Sequence, residues 1–246
     1  MWKKLIADLP ADSEFRHKPG FWTFSFSIDP FNSPRLAELN TALERDMPKY
    51  SGWPPFTYLH GVPKNPQALG ENVQAWIVDD IKNPTGESRH ADFWRVSRGG
   101  YGFLLRPMQE DSPLYGSNTM PPPRKPIFDW VLPIYRCTEL LKYVEALALK
   151  FADENAEFSV LLKYYNTRGR RLDVHDWRYN VMEGAVCAVD KLESKLSGPV
   201  HSIRTNLEEQ LFGLLAPIYE QFEFQELPKL LVYNVVKEEM GNHRKA

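Results

Sequence analysis

Four groups of residues in this 246-residue chain have the types and spacing to do chemistry. His90-Ala91-Asp92 sets an imidazole and a carboxylate on one face of an extended segment, the pattern of a metal half-site or an acid–base pair. Asp173-Val174-His175-Asp176 offers a general base oriented by a carboxylate, and with the first pair it defines a hydrolase or nuclease reading. Arg168-Gly169-Arg170-Arg171 follows Lys163-Tyr164-Tyr165. Guanidinium forks bind phosphate and tyrosine rings stack on bases, so this loop is the nucleic-acid candidate. The fourth group is the run His90–Ser112, in which Arg95, Arg98, Glu110 and Asp111 are the charged positions of an aromatic, apolar block.

Each group also has a plain structural reading, and the surrounding sequence favours it. A metal site needs three or four ligands with supporting partners, and His17, His60, His175, His201 and His243 do not supply the spacing. No metal or cofactor is expected, and no catalytic residue is assigned. The nucleophile elbow GxSxG is missing, as are the phosphate-binding patterns GxxxxGK[ST] and GxGxxG. Gly99-Gly100-Tyr101-Gly102 joins two strands, whereas a phosphate loop joins a strand to a helix. Cys137 and Cys187 sit among apolar residues and read as buried packing groups. The arginine loop reads equally as a solvated hairpin loop.

Composition narrows the function classes further. A net charge of -2 argues against broad adhesion to nucleic acid or to an anionic membrane, leaving only a local basic patch. No apolar run reaches the roughly 18 residues of a membrane span. The basic start Met1-Trp2-Lys3-Lys4 is followed by acids, not by the apolar core of a signal peptide. Two cysteines build no disulfide framework, so a cytoplasmic protein is expected.

The elements that must position these groups are legible in part. Trp22, Phe24, Phe26 and Ile28 alternate with Thr23, Ser25 and Ser27, which predicts a strand with one apolar face, suited to an antiparallel sheet half covered by helices. Ser33 and Pro34 open a helix with the stripe Leu36, Leu39, Ala42, Leu43. Trp2–Leu9 reads as a short amphipathic helix, Ser51–Leu59 as a proline-stiffened loop, Val73–Val78 as a strand and Asp79–His90 as a loop. Phe93–Ser97 and Tyr101–Met108 form a hairpin whose turn, Arg98-Gly99-Gly100, supplies positive φ angles.

After Leu114–Pro126, with its Pro121-Pro122-Pro123 run, the pattern restarts. Phe128–Leu132 predicts a strand, and Pro133 opens a helix carrying Ile134, Cys137, Leu140, Leu141, Val144, Leu147, Ala148 and Phe151. Phe158–Tyr165 and Ala185–Leu196 predict strands. Thr205 and Glu208 form a capping box for a helix that Pro217 should kink or divide, and Leu227–Met240 is a last helix. The expected class is α+β, with mixed or antiparallel sheet covered by helices. Residues 1–246 form one domain, with two similar strand–helix subdomains, 1–115 and 125–246 about the proline-rich segment, as the alternative.

Several segments together resemble a known family. They are Asp29-Pro-Phe-Asn32, Pro34-Arg-Leu-Ala-Glu-Leu-Asn40, Gly52-Trp-Pro-Pro-Phe56, Asp92-Phe-Trp-Arg-Val-Ser97, Gln109-Glu-Asp-Ser112, Leu215-Ala-Pro-Ile-Tyr-Glu-Gln-Phe222 and Glu226-Leu-Pro228. In this order they are similar to the C-terminal region of bacterial Schlafen-type Alba-domain proteins labelled putative transcriptional regulators or ATP-binding proteins. The resemblance spans about residues 1–240 and omits the Alba-type domain, to which the family's nucleic-acid and nucleotide functions belong. It implies an accessory, sensing or assembly module of a regulatory or defence system, standing alone or cut from a longer chain, and it carries no site residue across.

The leading expectation is therefore a non-enzymatic module that binds a protein partner or ligand. Its surface would join Trp53 in the Gly52–Phe56 loop to Arg95, Arg98, Glu110 and Asp111, because exposed Trp, Tyr and Arg make interface hot spots. The alternatives are nucleic-acid binding through Arg168, Arg170 and Arg171, and hydrolysis through Asp173 and His175 or His90 and Asp92.

Overall fold

Every second residue of Phe21–Asp29 is a large apolar group, and this segment, β1, lies inside a seven-stranded sheet with a partner on each side. The computed structural model describes residues 7, 20–48, 50, 55–56, 66–78, 91–111, 126–153, 155–173 and 184–242. After β1 come α1 (Leu36–Thr41), which runs on as a π-helical turn over Ala42–Asp46, then β2 (Gln67–Leu69), β3 (Asn72–Val78), β4 (Ala91–Ser97) and β5 (Tyr101–Pro107). A 3-10 turn, Gln109–Asp111, precedes β6 (Ile127–Asp129) and the long helix α2 (Leu132–Phe151). The chain continues through β7 (Glu157–Tyr165), β8 (Arg171–Asp173), β9 (Lys191–Pro199), α3 (His201–Thr205), α4 (Leu207–Tyr219) and α5 (Lys229–Asn242).

The sheet order is β2-β3-β4-β5-β1-β7-β9, and every neighbouring pair is antiparallel. β6 and β8 form a separate parallel pair in the register Ile127↔Arg171. The alternation in β1 sorts the two faces. Trp22, Phe24, Phe26 and Ile28 join Trp94, Val96, Leu104, Phe158, Val160, Leu162 and Leu192 on the inner face. The apolar stripes of α2, α4 and α5 pack there, in a single cluster that runs from Trp22 to Val236. The opposite face carries a small cluster of Phe21, Phe93 and Leu105 with Phe103 against it. The expected α+β class is what forms: an antiparallel sheet with helices packed on it.

Strand pairing crosses the proline-rich segment. β1 bonds to β5, from before the proline-rich segment, and to β7, from after it, so strands from both parts share one sheet. The strand–proline–helix units at 21–47 and 127–152 are not equivalent, because β6 pairs with β8 outside that sheet.

Local chemistry explains the other differences from expectation. α1 is capped at Arg35, whose backbone N–H donates to Glu38 Oε2 at 3.0 Å, so Ser33 and Pro34 lie outside it. In the hairpin turn only Gly100 has positive φ (81°), and its N–H donates to the Ser97 carbonyl at 3.1 Å, the arrangement of a three-residue loop. The strand expected at 185–196 begins at Lys191. Val186 and Cys187 make only isolated bridges, to Arg171 and Phe222. The capping box does not form. Thr205 ends α3, with its hydroxyl donating to the His201 carbonyl, and α4 starts after Asn206. Pro217 does not divide α4, which runs unbroken to Tyr219. The segment Trp2–Leu9 apart from Ala7, the segment Asp79–His90, and most of Ser51–Leu59 lie outside the described residues.

Candidate functional site

Three of the eight singled-out residues meet in one buried cluster at the start of β1. Glu110 and Asp111 enter it from the 3-10 turn after β5, and Arg170 from the loop between β7 and β8. That loop turns tightly because Asn166 and Gly169 take positive φ (58° and 78°) and Arg170 N–H donates to the Thr167 carbonyl at 3.1 Å. The turn folds Arg170 inward instead of presenting it to solvent. Its side chain is 1% exposed and grips Asp111 with two parallel bonds, Nη1 to Oδ1 at 2.8 Å and Nη2 to Oδ2 at 2.7 Å. Arg170 also donates to the Ile127 and Asn166 carbonyls, and Asp111 Oδ2 accepts the Gly20 N–H at 2.8 Å. Both carboxylate oxygens and all three guanidinium nitrogens are engaged, which is what a buried ion pair needs to be tolerated.

Glu110 sits beside this clamp. Its Oε1 accepts the Asp129 N–H at 3.2 Å. Burial pushes its carboxyl up from the usual carboxylate range to about 7, with the Asp129 charge adding to the rise and Arg170 opposing it. Asp129 itself holds the start of α2, since its Oδ1 accepts the Val131 and Leu132 N–H groups at 2.6 and 2.9 Å. Glu110 also lines a cavity of about 20 Å³, room for one water, with Trp22, Gln109, Arg136 and Tyr164. Burial likewise raises the Tyr164 and Tyr219 hydroxyls well above their ordinary value.

A second buried pair lies on β4 and β5. Arg106 Nε is 2.9 Å from Asp92 Oδ2 on the inner face. Burial lowers the Arg106 pKa, and Asp92 is the main opposing influence. α2 extends this line of charge: Glu139 lies 3.9 Å from Arg136 and accepts the Tyr50 N–H, while Arg136 Nη2 donates to Gln109 Oε1 at 3.0 Å. The polar groups therefore tie β4, β5, the 3-10 turn, β6 and α2 together. Chemically the arrangement can hold charge in fixed places and exchange one proton at Glu110 near neutral pH.

The structure corrects three assignments. Glu110 and Asp111 are not a charged surface at the end of the hairpin, because the 3-10 turn directs both carboxyls inward. Arg170 is not a solvated phosphate contact, because its guanidinium is enclosed by Asp111 and two carbonyls. Arg168 and Arg171 are solvent-facing but stand against acids, Arg168 Nε 3.1 Å from Asp190 and Arg171 Nη2 2.5 Å from Asp173. Of the hydrolase candidates, Asp92 is held by Arg106 and Asp173 by Arg171, while His90 and His175 lie outside the described residues. Among the described residues there is no group of three or more His, Cys, Asp or Glu side chains able to hold a metal ion. None of the described helices is long and apolar enough to cross a membrane.

Arg95 and Arg98 remain on the hairpin, and Trp53 lies outside the described residues. Arg95 and Phe103 are register partners on the outer face of the sheet. The Arg95 guanidinium forks onto Gln74 Oε1 at 2.9 and 2.6 Å and stands 5.7 Å from the centre of the Phe93 ring. Two residues along β5, Tyr101 is 64% exposed on the same face. Arg98, at the turn, reaches the Ser33 carbonyl at 3.4 Å. Sequence reasoning missed Asp129, Arg136, Glu139 and Arg106. Only Asp129 carried a signal, an acid shortly before the Pro133 helix start. No family model, no curated protein and no solved structure matches the chain.

Proposed function

We propose that this chain is a cytoplasmic, non-enzymatic accessory module that binds a protein partner through the outer face of the β4–β5 hairpin. One observation carries the reading: Arg95, Phe103 and Tyr101, the last 64% exposed, line up on a single sheet face. Arg and Tyr with an adjoining aromatic ring are the composition of interface hot spots, and a sheet fixes their spacing before a partner arrives. Gln74 holds the Arg95 guanidinium in place, which reduces the ordering that binding would otherwise require. The family resemblance supports the same reading, an accessory or assembly module of a bacterial regulatory or defence system. Trp53 belongs to the proposed surface by the sequence argument alone.

The test is co-purification of the tagged chain from its native host. Arg95→Ala and Tyr101→Ala should each deplete the same specific partner while leaving the melting temperature within about 2 °C of wild type, as expected for surface changes. Arg168→Ala should leave that partner bound. Retention of the partner by both hairpin variants would remove this surface from consideration.

A further inference from the structure

We infer that the outer face of α5, with the loop that leads into it, is a self-association surface that pairs two copies of this chain antiparallel about a two-fold axis. The loop between α4 and α5 holds two consecutive non-glycine residues at positive φ, Glu223 at 54° and Phe224 at 61°. A bulky residue in that region is an outlier that the surroundings must enforce. Here Phe224 N–H donates to the Glu220 carbonyl at 3.1 Å, Gln225 N–H to the Phe222 carbonyl at 3.0 Å, and Phe222 is buried against Phe128. The effect is to hold the Phe224 ring in solvent, 90% exposed. α5, which starts five residues after Phe224, adds Leu230, 69% exposed, and Tyr233, 48% exposed, one turn apart on the side away from buried Leu231, Val232, Val235 and Val236.

Charge selects the occupant. Glu220, Glu223 and Glu226 are exposed around Phe224, and none of them has an ion pair among the described residues. Lys237 stands at the other end of the stripe, roughly 10 Å beyond Leu230 along the helix. Its ammonium is 5.8 Å from the centre of the Tyr233 ring and has no ion pair among the described residues. A surface negative at one end, apolar in the middle and positive at the other complements a second copy of itself turned end for end. In that arrangement Leu230 of one protomer rests on the Lys237 stem of its partner, and the Lys237 ammonium approaches the acids beside Phe224. At Gly241 a Cβ would meet nothing within 4 Å, so this end admits close approach. Three apolar side chains supply less than the roughly 800 Å² per partner of a standard interface, so the dimer should be weak, in the micromolar range.

Sedimentation velocity from about 5 to about 500 µM tests this. The weight-average mass should climb from the 28.5 kDa monomer toward twice that value, less so at high salt. Phe224→Gly keeps the turn, since glycine accepts its φ, and should weaken the dimer about tenfold without lowering the monomer's melting temperature. Lys237→Glu should weaken it to a similar degree, and adding Glu223→Lys to Lys237→Glu should restore association. A wild-type chain that stays monomeric over the whole range at low salt would overturn the inference. So would a dimer indifferent to both single substitutions.

Discussion

Arg170 and Asp111 are 59 residues apart in sequence and joined by two hydrogen bonds, 2.8 and 2.7 Å long, inside the protein. Their clamp fastens the end of β5 to the loop after β7 and, through Gly20 and Ile127, to the entry of β1 and to β6. Two residues that individually suggest a phosphate contact and a charged surface thus serve one architectural purpose. The same four-residue segment contains Arg168, whose pairing with Asp190 is exposed on both sides.

That contrast gives a sharp expectation. Arg170→Ala leaves the Asp111 carboxylate buried without its partner and should lower unfolding free energy by about 3–5 kcal/mol. Arg168→Ala breaks an exposed pair and should change it by less than about 1 kcal/mol. Urea denaturation of the two variants against wild type measures both. Equal losses would mean that the clamp does not persist in solution.

Gly20 depends on the same pair. A Cβ at this position would lie 2.3 Å from Arg170 Nη2, 2.6 Å from Met108 Sδ and 2.8 Å from Asp111 Oδ2. Gly20→Ala should therefore cost about 1–3 kcal/mol by overpacking. Because the obstruction is the clamp, the penalty should shrink in an Arg170→Met, Asp111→Leu background, giving a coupling energy in a double-mutant cycle. Strict additivity would show that Gly20 is constrained by something else.

Period and punctuation made most of the fold readable. β1, α2 and the β4–β5 hairpin follow from alternation, from a helical stripe opened by Pro133, and from a glycine turn, all of them local signals. What was not readable depends on pairing over long sequence distances. Nothing within residues 127–173 says that β6 will pair with β8, and nothing within 21–29 says that β1 will sit between β5 and β7. The fate of the charged residues was hidden for the same reason. Arg170 differs from Arg168 only in the direction its turn gives it, and Asp92 is separated from Arg106 by a full hairpin. Arg95 was identifiable as an outer-face residue because a strand's period fixes which face its own side chains take, whereas Tyr101, on the next strand, joins that face only through the β4–β5 register.

Gly102 shows how a glycine in a strand can be dictated by the residue across the sheet. It is the register partner of Phe26, and a Cβ there would lie 2.0 Å from Phe26 Cε1. The aromatic ring covers the position that a side chain would fill. Gly102→Ala should destabilise the chain by about 1–3 kcal/mol despite the better strand propensity of alanine. Gly102→Ala with Phe26→Leu should recover part of that loss, relative to the sum of the single changes. Thermal unfolding of the three variants decides it, and a stabilised Gly102→Ala would contradict the observed packing.

Glu110 sets a pH dependence whose sign runs opposite to that of a salt-bridged carboxylate. Its folded pKa is raised to about 7, against 4.5 for the free group, so the folded chain keeps a proton that the unfolded chain has released. Below pH 4.5 both states are protonated at this site and it contributes no slope. Between pH 4.5 and about 7 unfolding releases the proton, and the stability attributable to Glu110 falls as pH rises. Above about 7 both states are ionised and the loss levels off, at about 3 kcal/mol by linkage. Glu110→Gln stays neutral and can still accept the Asp129 N–H, so it should match wild type near pH 4.5 and be the more stable chain at pH 8. Urea midpoints of both chains measured at intervals across this range test the claim. A wild-type advantage that grows with pH would show that Glu110 is held as a charged partner of Arg170 and not as a buried neutral acid.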